Sequence, residues 1–292
     1  MEMYMKKLSL LTVLTSSFLT VIASNPNETI AGLDKSALYQ LMDVLDVKHA
    51  DDLKSIVTAT QKAWLRQPGT ERWNTPDLYE EKKAELLPLF TQLGLVTART
   101  PQHNKYEAAL VLGCANLAAM DKAHFLVQLL KNGLHINSVV ILTGERQLTE
   151  NERDAVATLG ISKEELLVEA DSMKFIISKT LSDAGFATLP VLVIKCLNTL
   201  TADGKITRPT RLDTIHKWIK DLNPAAGNYL ALSIQPHCAF EANVIQSAVP
   251  AGITVEVAGK EWDVRVAVYL DALARTLYAY YAGLNNALRA QR

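Results

Sequence analysis

Apolar and polar positions along this chain follow two periods, and the change from one to the other marks its elements. Between Tyr106 and Asn151, two runs rich in Val, Ile and Leu, Ala108–Leu112 and Ser138–Thr143, are each closed by a glycine, Gly113 and Gly144. Between them Leu117, Met120, His124, Val127 and Leu130 recur at three- and four-residue steps. Continuous short apolar runs predict buried parallel strands, and the three-to-four step predicts a helix. Strand, helix and strand in this order is a βαβ unit, which builds parallel sheets through a right-handed crossover. Three more apolar runs, Pro190–Leu197, Tyr229–Ile234 and Ile253–Val257, predict further strands. Helices are predicted over Glu169–Ala184, from Thr210 through Leu212, Ile215, Trp218 and Ile219, over Asn243–Val249, and from Val264 to the end. The expected fold is α/β: a Rossmann-like three-layer sandwich with a mainly parallel five-stranded sheet, spanning residues 101–292.

Ahead of it, residues 24–100 read as an N-terminal helical extension or cap. Asp34 can cap a helix carrying Leu38, Leu41, Met42 and Leu45, and a second helix runs from about Asp51 to Gln67 with Ile56, Val57 and Trp64 inward. Thr75-Pro76 reads as an N-cap followed by proline at the first helical position, opening a third helix through Leu86, Leu89 and Phe90 that Pro88 should kink. Asn25–Leu33 and Asn198–Pro209 read as polar loops. Thr149-x-x-Glu152 and Ser162-x-x-Glu165 have the form of capping boxes, so Glu152 is expected to serve helix architecture.

The first residues follow a different pattern. Lys6 and Lys7 precede an apolar run, Leu8–Ile22, that ends in small residues at Ala23. This is the layout of a secretory signal peptide over residues 1–23. Retained instead of cleaved, residues 8–23 would serve as a membrane anchor, although a full span usually takes about 20 apolar residues. On either reading the folded part is expected outside the cytoplasm, periplasmic or secreted. Asn27-Glu28-Thr29 matches a glycosylation acceptor, a short pattern of little weight.

Composition narrows the function. With 292 residues, 49% hydrophobic and 21% charged, the chain can fill a globular core. A formal net charge of −1 excludes the strongly basic footprint of a nucleic-acid binder. Three cysteines, Cys114, Cys196 and Cys238, cannot complete a disulfide framework; they read as buried thiols, the alternative being that two pair in an oxidising compartment and leave one free. The nucleophile-elbow, zinc-protease, Walker-loop and Gly-x-Gly-x-x-Gly signatures are absent, so the motifs leave any cofactor unknown.

Ligands of parallel sheets bind outside the carboxyl ends of the strands, and candidate chemistry collects there. In Gly144-Glu145-Arg146, Arg146 suits bidentate recognition of a carboxylate or phosphate, and Glu145 can serve as a base. Gly113 permits a close backbone turn, with Asn116 at the start of the following helix, where anions are favoured. Glu169 opens a later helix. Arg208 and Thr210 follow the third strand. His237 ends the fourth strand and can transfer protons. Each has a structural alternative: an exposed ion pair for Glu145 and Arg146, an N-cap for Asn116 and Thr210, dipole stabilisation for Glu169, a solvated loop for Arg208, a core position for His237.

Taken in order, ALVLGCAN, VVILTGER, VEADSMKFI, the Thr210–Thr214 segment and LSIQPH resemble domain-of-unknown-function family 218, the bacterial envelope proteins that include SanA, YdcF and ElyC. The resemblance spans about Tyr106 to Gly259 and rests on Gly113, Gly144, Glu169, Thr210 and His237. It implies a Rossmann-like fold with its site at the strand ends, and a role in envelope integrity or in peptidoglycan and lipid-carrier metabolism. Binding of S-adenosylmethionine is reported within that family. Three positions depart from its pattern. Glu145 stands where a second glycine is common, Asp121-Lys122 where an arginine usually sits, and Phe240 where an arginine commonly follows the histidine.

Two functions follow as expectations. One is an exported protein that binds or transforms an anionic, phosphate-bearing small molecule, held by Arg146 and Arg208, with Glu145 or His237 moving protons. The other is a non-catalytic secreted interaction protein that uses the helices of residues 34–94 as its binding surface.

Overall fold

A computed structural model describes residues 29–67, 76–201 and 204–290. The expected leader, the Asn27 acceptor and the Thr75 cap lie outside the described residues. Five strands form one all-parallel sheet: β1 (Ala109–Leu112), β2 (Val139–Gly144), β3 (Val191–Cys196), β4 (Gly227–Ile234) and β5 (Ile253–Lys260). Their order is β5-β4-β1-β2-β3. Leu110 is in register with Val140 on one side and Ala231 on the other. The chain builds outward from β1 to β3, then returns to the opposite side of β1, which puts the switch in strand order between β1 and β4.

The strict alternation of a strand separates the two faces of the sheet. Ala109, Val111, Val139, Ile141, Leu230 and Leu232 pack beneath α4 (Asn116–Lys131) and α6 (Glu169–Asp183), against Leu126, Met173 and Ile177. Leu110, Leu112, Val140, Leu142 and Ala231 face α7 (Arg211–Leu222) and α8 (Cys238–Gln246), against Ile215, Trp218 and Ile245. The expected Rossmann-like α/β sandwich is therefore the observed architecture.

A third apolar cluster lies beside the sheet. It joins α1 (Lys35–Val44), α2 (Leu53–Trp64) and α3 (Lys83–Gln92) to the last helix, α9 (Val266–Ala290). Leu38, Ile56, Leu86, Phe90, Tyr269 and Leu273 meet in its centre, and Phe90 stacks on Tyr269. The helical layer thus draws on both ends of the chain. Asp34 and Asp52 cap α1 and α2, accepting from the N–H groups of Ala37 (2.7 Å) and Ser55 (2.9 Å). Gln235, fully buried at the end of β4, fixes this layer to the sheet by donating to the carbonyls of Gly94 and Thr97.

Several local expectations are corrected. Tyr79 adopts a left-handed conformation, and the third helix begins only at Lys83, running through Pro88. In α4 the buried face is Asn116, Ala119, Lys122, Ala123 and Leu126, while Leu117 and His124 face outward. Small alanines let this helix approach the sheet closely, so the leucine-based stripe was rotated from the true one. Ser162 closes only a single 3-10 turn, and α8 begins at Cys238, five residues before the expected Asn243. Both polar loops contain antiparallel pairs, Thr29–Ile30 with Leu33–Asp34 and Thr199–Leu200 with Ile206–Thr207. Between β2 and α6, α5 (Glu150–Ala157) opens with the expected Thr149–Glu152 capping box.

Candidate functional site

A cleft of about 780 Å3 opens at the carboxyl ends of β1 and β2, a size typical of small-molecule sites. Gly113, Thr143 and Gly144 line its floor. One wall is the first turn of α7, from Pro209 to Thr214, and the other is Phe240 and Val244 of α8. Gln61 of α2 and Arg275, Tyr278 and Gly283 of α9 close it from the helical layer. The cleft therefore lies between the sheet and a layer assembled from both chain ends.

Close packing fixes the floor. A Cβ on Gly113 would stand 2.5 Å from Glu169 Oε1, and one on Gly144 would stand 2.9 Å from Pro209 Cγ. Glu169 is buried at the first turn of α6. It accepts from the Thr143 hydroxyl (2.8 Å) and from Arg146 Nε (2.7 Å). The two remaining Arg146 nitrogens donate to Glu152, at 2.8 and 2.7 Å. The Glu152 carboxylate first, then Glu169, holds the Arg146 guanidinium above its ordinary pKa. Burial pushes the Glu152 carboxyl up, but Arg146 and the Thr149 N–H outweigh it and hold the pKa below the ordinary value.

Cationic character in the cleft comes from two other arginines. Arg211, the first residue of α7, donates from Nη2 to the buried carboxylate of Glu241 (3.0 Å), and its guanidinium carbon lies 5.2 Å from the centre of the Phe240 ring. Arg275 pairs through Nε with the buried Asp271 (2.9 Å) and lines the cleft from the last helix. The N-terminus of α7 enters the same wall, with Thr210 as its cap and Asp213 completing the capping box. A helix N-terminus favours negative charge.

Of the residues expected from sequence, Gly113, Gly144, Glu169 and Thr210 line the cleft together. Arg146 stands behind Glu169, fully engaged by two carboxylates. Asn116 bridges three helices: it donates to the Glu152 carbonyl (2.8 Å) and accepts from the Ser172 hydroxyl (2.7 Å). Glu145, Arg208 and His237 are not cleft-lining residues. Glu145 faces Lys195 at 3.9 Å on the neighbouring strand, Arg208 is exposed ahead of α7, and His237 is buried as the cap of α8. Sequence reading missed Arg211, Phe240 and Arg275. Arg211 follows the Thr210 cap directly, and Asp271 and Arg275 form a charged pair one turn apart inside an apolar helix; both signals are visible in the sequence.

No family model matches the chain. Over 91 residues it is 33% identical to the uncharacterized protein Rv3785 of Mycobacterium tuberculosis and to the uncharacterized protein Mb3814 of Mycobacterium bovis. The match covers 30% of this chain and 25% of each relative, so the chain spans about a quarter of the length of the curated relatives it matches.

All three cysteines are free thiols. Burial pushes each thiol up in pKa, to about 11 for Cys238, which disfavours thiolate chemistry at neutral pH. Among the described residues no group of three or more His, Cys, Asp or Glu is placed to hold a metal ion.

Proposed function

We propose that this protein binds an anionic, phosphate-bearing small molecule with an apolar portion, in the cleft at the carboxyl ends of β1 and β2. The observation that carries the reading is the convergence of Arg211, Arg275 and the N-terminus of α7 on one cleft. Leu142, Leu212, Phe240 and Val244 supply apolar surface beside them. Planar guanidinium groups recognise phosphate through paired hydrogen bonds, and the helix dipole adds to their pull. Glu169 is held in place by Thr143 and Arg146 as a fixed acceptor for a ligand hydroxyl or amine.

The resemblance to the SanA, YdcF and ElyC family supports the same reading. Four of the five positions that carry it, Gly113, Gly144, Glu169 and Thr210, line the cleft. Export to the envelope, expected from residues 1–23, belongs to this proposal. Glu145 and His237 have no part in it, and no reaction is assigned.

The test is a thermal-shift screen of the full chain against nucleotides, S-adenosylmethionine and prenyl phosphates, with inorganic diphosphate as the minimal anion. A ligand at 100 times its Kd adds about 2.7 kcal/mol of stability, which raises Tm by several degrees. The shift should vanish in the R211Q/R275Q protein. Full retention of the shift in that variant would overturn the reading.

A further inference from the structure

The large apolar side chains left in solvent are not spread evenly over the molecule. Among the described residues, the five most exposed are Leu200 (73%), Ile206 (71%), Leu117 (69%), Leu197 (61%) and Leu167 (55%). All five lie at the carboxyl end of the sheet, on three separate connections. Leu117 stands on the first turn of α4, immediately after β1. Leu167 precedes the N-terminus of α6, where its carbonyl accepts from the Leu148 N–H. Leu197 follows β3. Leu200 and Ile206 are register partners on the two-stranded ribbon that joins β3 to α7, so their side chains stand together on one side of it. The ribbon is a built element: Thr201 bonds Lys205 through both its backbone N–H and its hydroxyl, each at 2.9 Å.

We infer that this rim is a membrane-docking surface, led by the ribbon and seated on an anionic lipid bilayer. A protein interface gathers its apolar groups in a central patch surrounded by a polar rim. Here single leucines are separated by Asn198, Thr199, Thr201 and Thr207, and each can enter the acyl region while its polar neighbours stay among the headgroups. Charge selects the headgroup. From Lys195 to Arg211 the sequence carries four cations and one carboxylate, Asp203. Lys195, Lys205 and Arg208 are exposed along the ribbon and its base. Lys195 approaches Glu145 only to 3.9 Å, a contact that lipid phosphates can replace. Attraction to anionic headgroups adds to apolar insertion and is screened by salt. Glu164 and Glu165 near Leu167 oppose such headgroups, so the ribbon, not that end of the rim, makes first contact. The inference is independent of what the cleft binds.

The test is hydrogen exchange of the full chain with and without vesicles, read in peptides covering residues 197–208. This localises the effect away from the apolar leader. With phosphatidylglycerol vesicles, exchange in these peptides should slow by about tenfold or more, and the L200D/I206D protein should lose that protection. L117D, on a separate element, should weaken vesicle partition in the same direction, with both variants melting as the parent does. Unchanged exchange with vesicles overturns the inference. Equal protection on phosphatidylcholine overturns the anionic assignment. Protection that grows with protein concentration in the absence of lipid makes the rim an interface between copies and overturns the lipid partner.

Discussion

Glu169 occupies the space that a side chain at Gly113 would need. A Cβ there would lie 2.5 Å from Glu169 Oε1, the same oxygen that accepts from the Thr143 hydroxyl. The glycine that closes β1 therefore lets a carboxylate from α6 reach the cleft floor. For Gly113→Ala, Glu169 must swing away and lose its bonds to Thr143 and Arg146. The expected cost is about 2 kcal/mol of stability, measured by denaturant unfolding, together with loss of the ligand-induced thermal shift. An alanine variant with unchanged stability would show that Glu169 is not held as described.

The Arg146 pair predicts acid sensitivity. Burial raises the Glu152 pKa, but Arg146 and Thr149 outweigh it and set the folded value below the ordinary 4.5. At Asp271, Arg275 and the Arg66 N–H likewise outweigh burial and lower the value from 3.8. For a depressed carboxylate, the stabilisation is present above the unfolded pKa and fades as pH falls through the folded one. Tm should thus hold steady above about pH 5 and drop below it. In Arg146→Met, only Thr149 is left to oppose burial at Glu152, so neutral-pH stability falls by about 3 kcal/mol and the acid-side decline flattens. Melting curves across pH for both proteins check this.

Glu145 is not among the residues lining the cleft; it faces Lys195 at 3.9 Å, and its side chain is part-exposed. Glu145→Ala should change stability by no more than about 0.5 kcal/mol and leave ligand affinity unchanged. Isothermal titration on the variant decides it; a marked affinity loss would restore Glu145 to the site.

How far the sequence reveals this protein depends on where each signal arises. The five strands were legible because short runs rich in Val, Ile and Leu suit a parallel sheet covered on both faces; the runs are mostly buried in β1, β2 and β4 and partly exposed in the edge strands β3 and β5. Gly113, Gly144, Glu169 and Thr210 were legible because each lies at the end of an apolar run or the start of a helix, and those ends converge by topology alone. Arg211 was overlooked in favour of Arg208 because three residues of register separate an exposed loop from a helix's first turn. Arg275 was illegible for a different reason. It reaches the cleft only because the last helix folds back onto α2 and α8, a tertiary event that local pattern does not encode. The same holds for Lys122, whose burial follows from the alanines beside it and whose ammonium donates to the Leu112 carbonyl at 3.1 Å.

Cys238 lies fully buried under Gly259, and burial pushes its thiol to about 11. It should resist iodoacetamide at neutral pH in the folded protein and react readily in denaturant, with the labelled site read by peptide mass spectrometry. Rapid labelling of Cys238 without unfolding would contradict the packing of α8 on β5.

The most direct test of the central claim is calorimetric titration of inorganic diphosphate into the full chain and into the R211Q/R275Q protein. Glutamine at both positions keeps a donor for Glu241 and Asp271 while removing the two cations. Saturable binding by the parent that weakens by about tenfold or more in the variant, titrated at a temperature where both proteins are folded because the buried Glu241 and Asp271 lose their ion-pair partners, is the predicted result. Equal affinity in both proteins, or no binding by the parent to any phosphate-bearing probe, would contradict an anion site in this cleft.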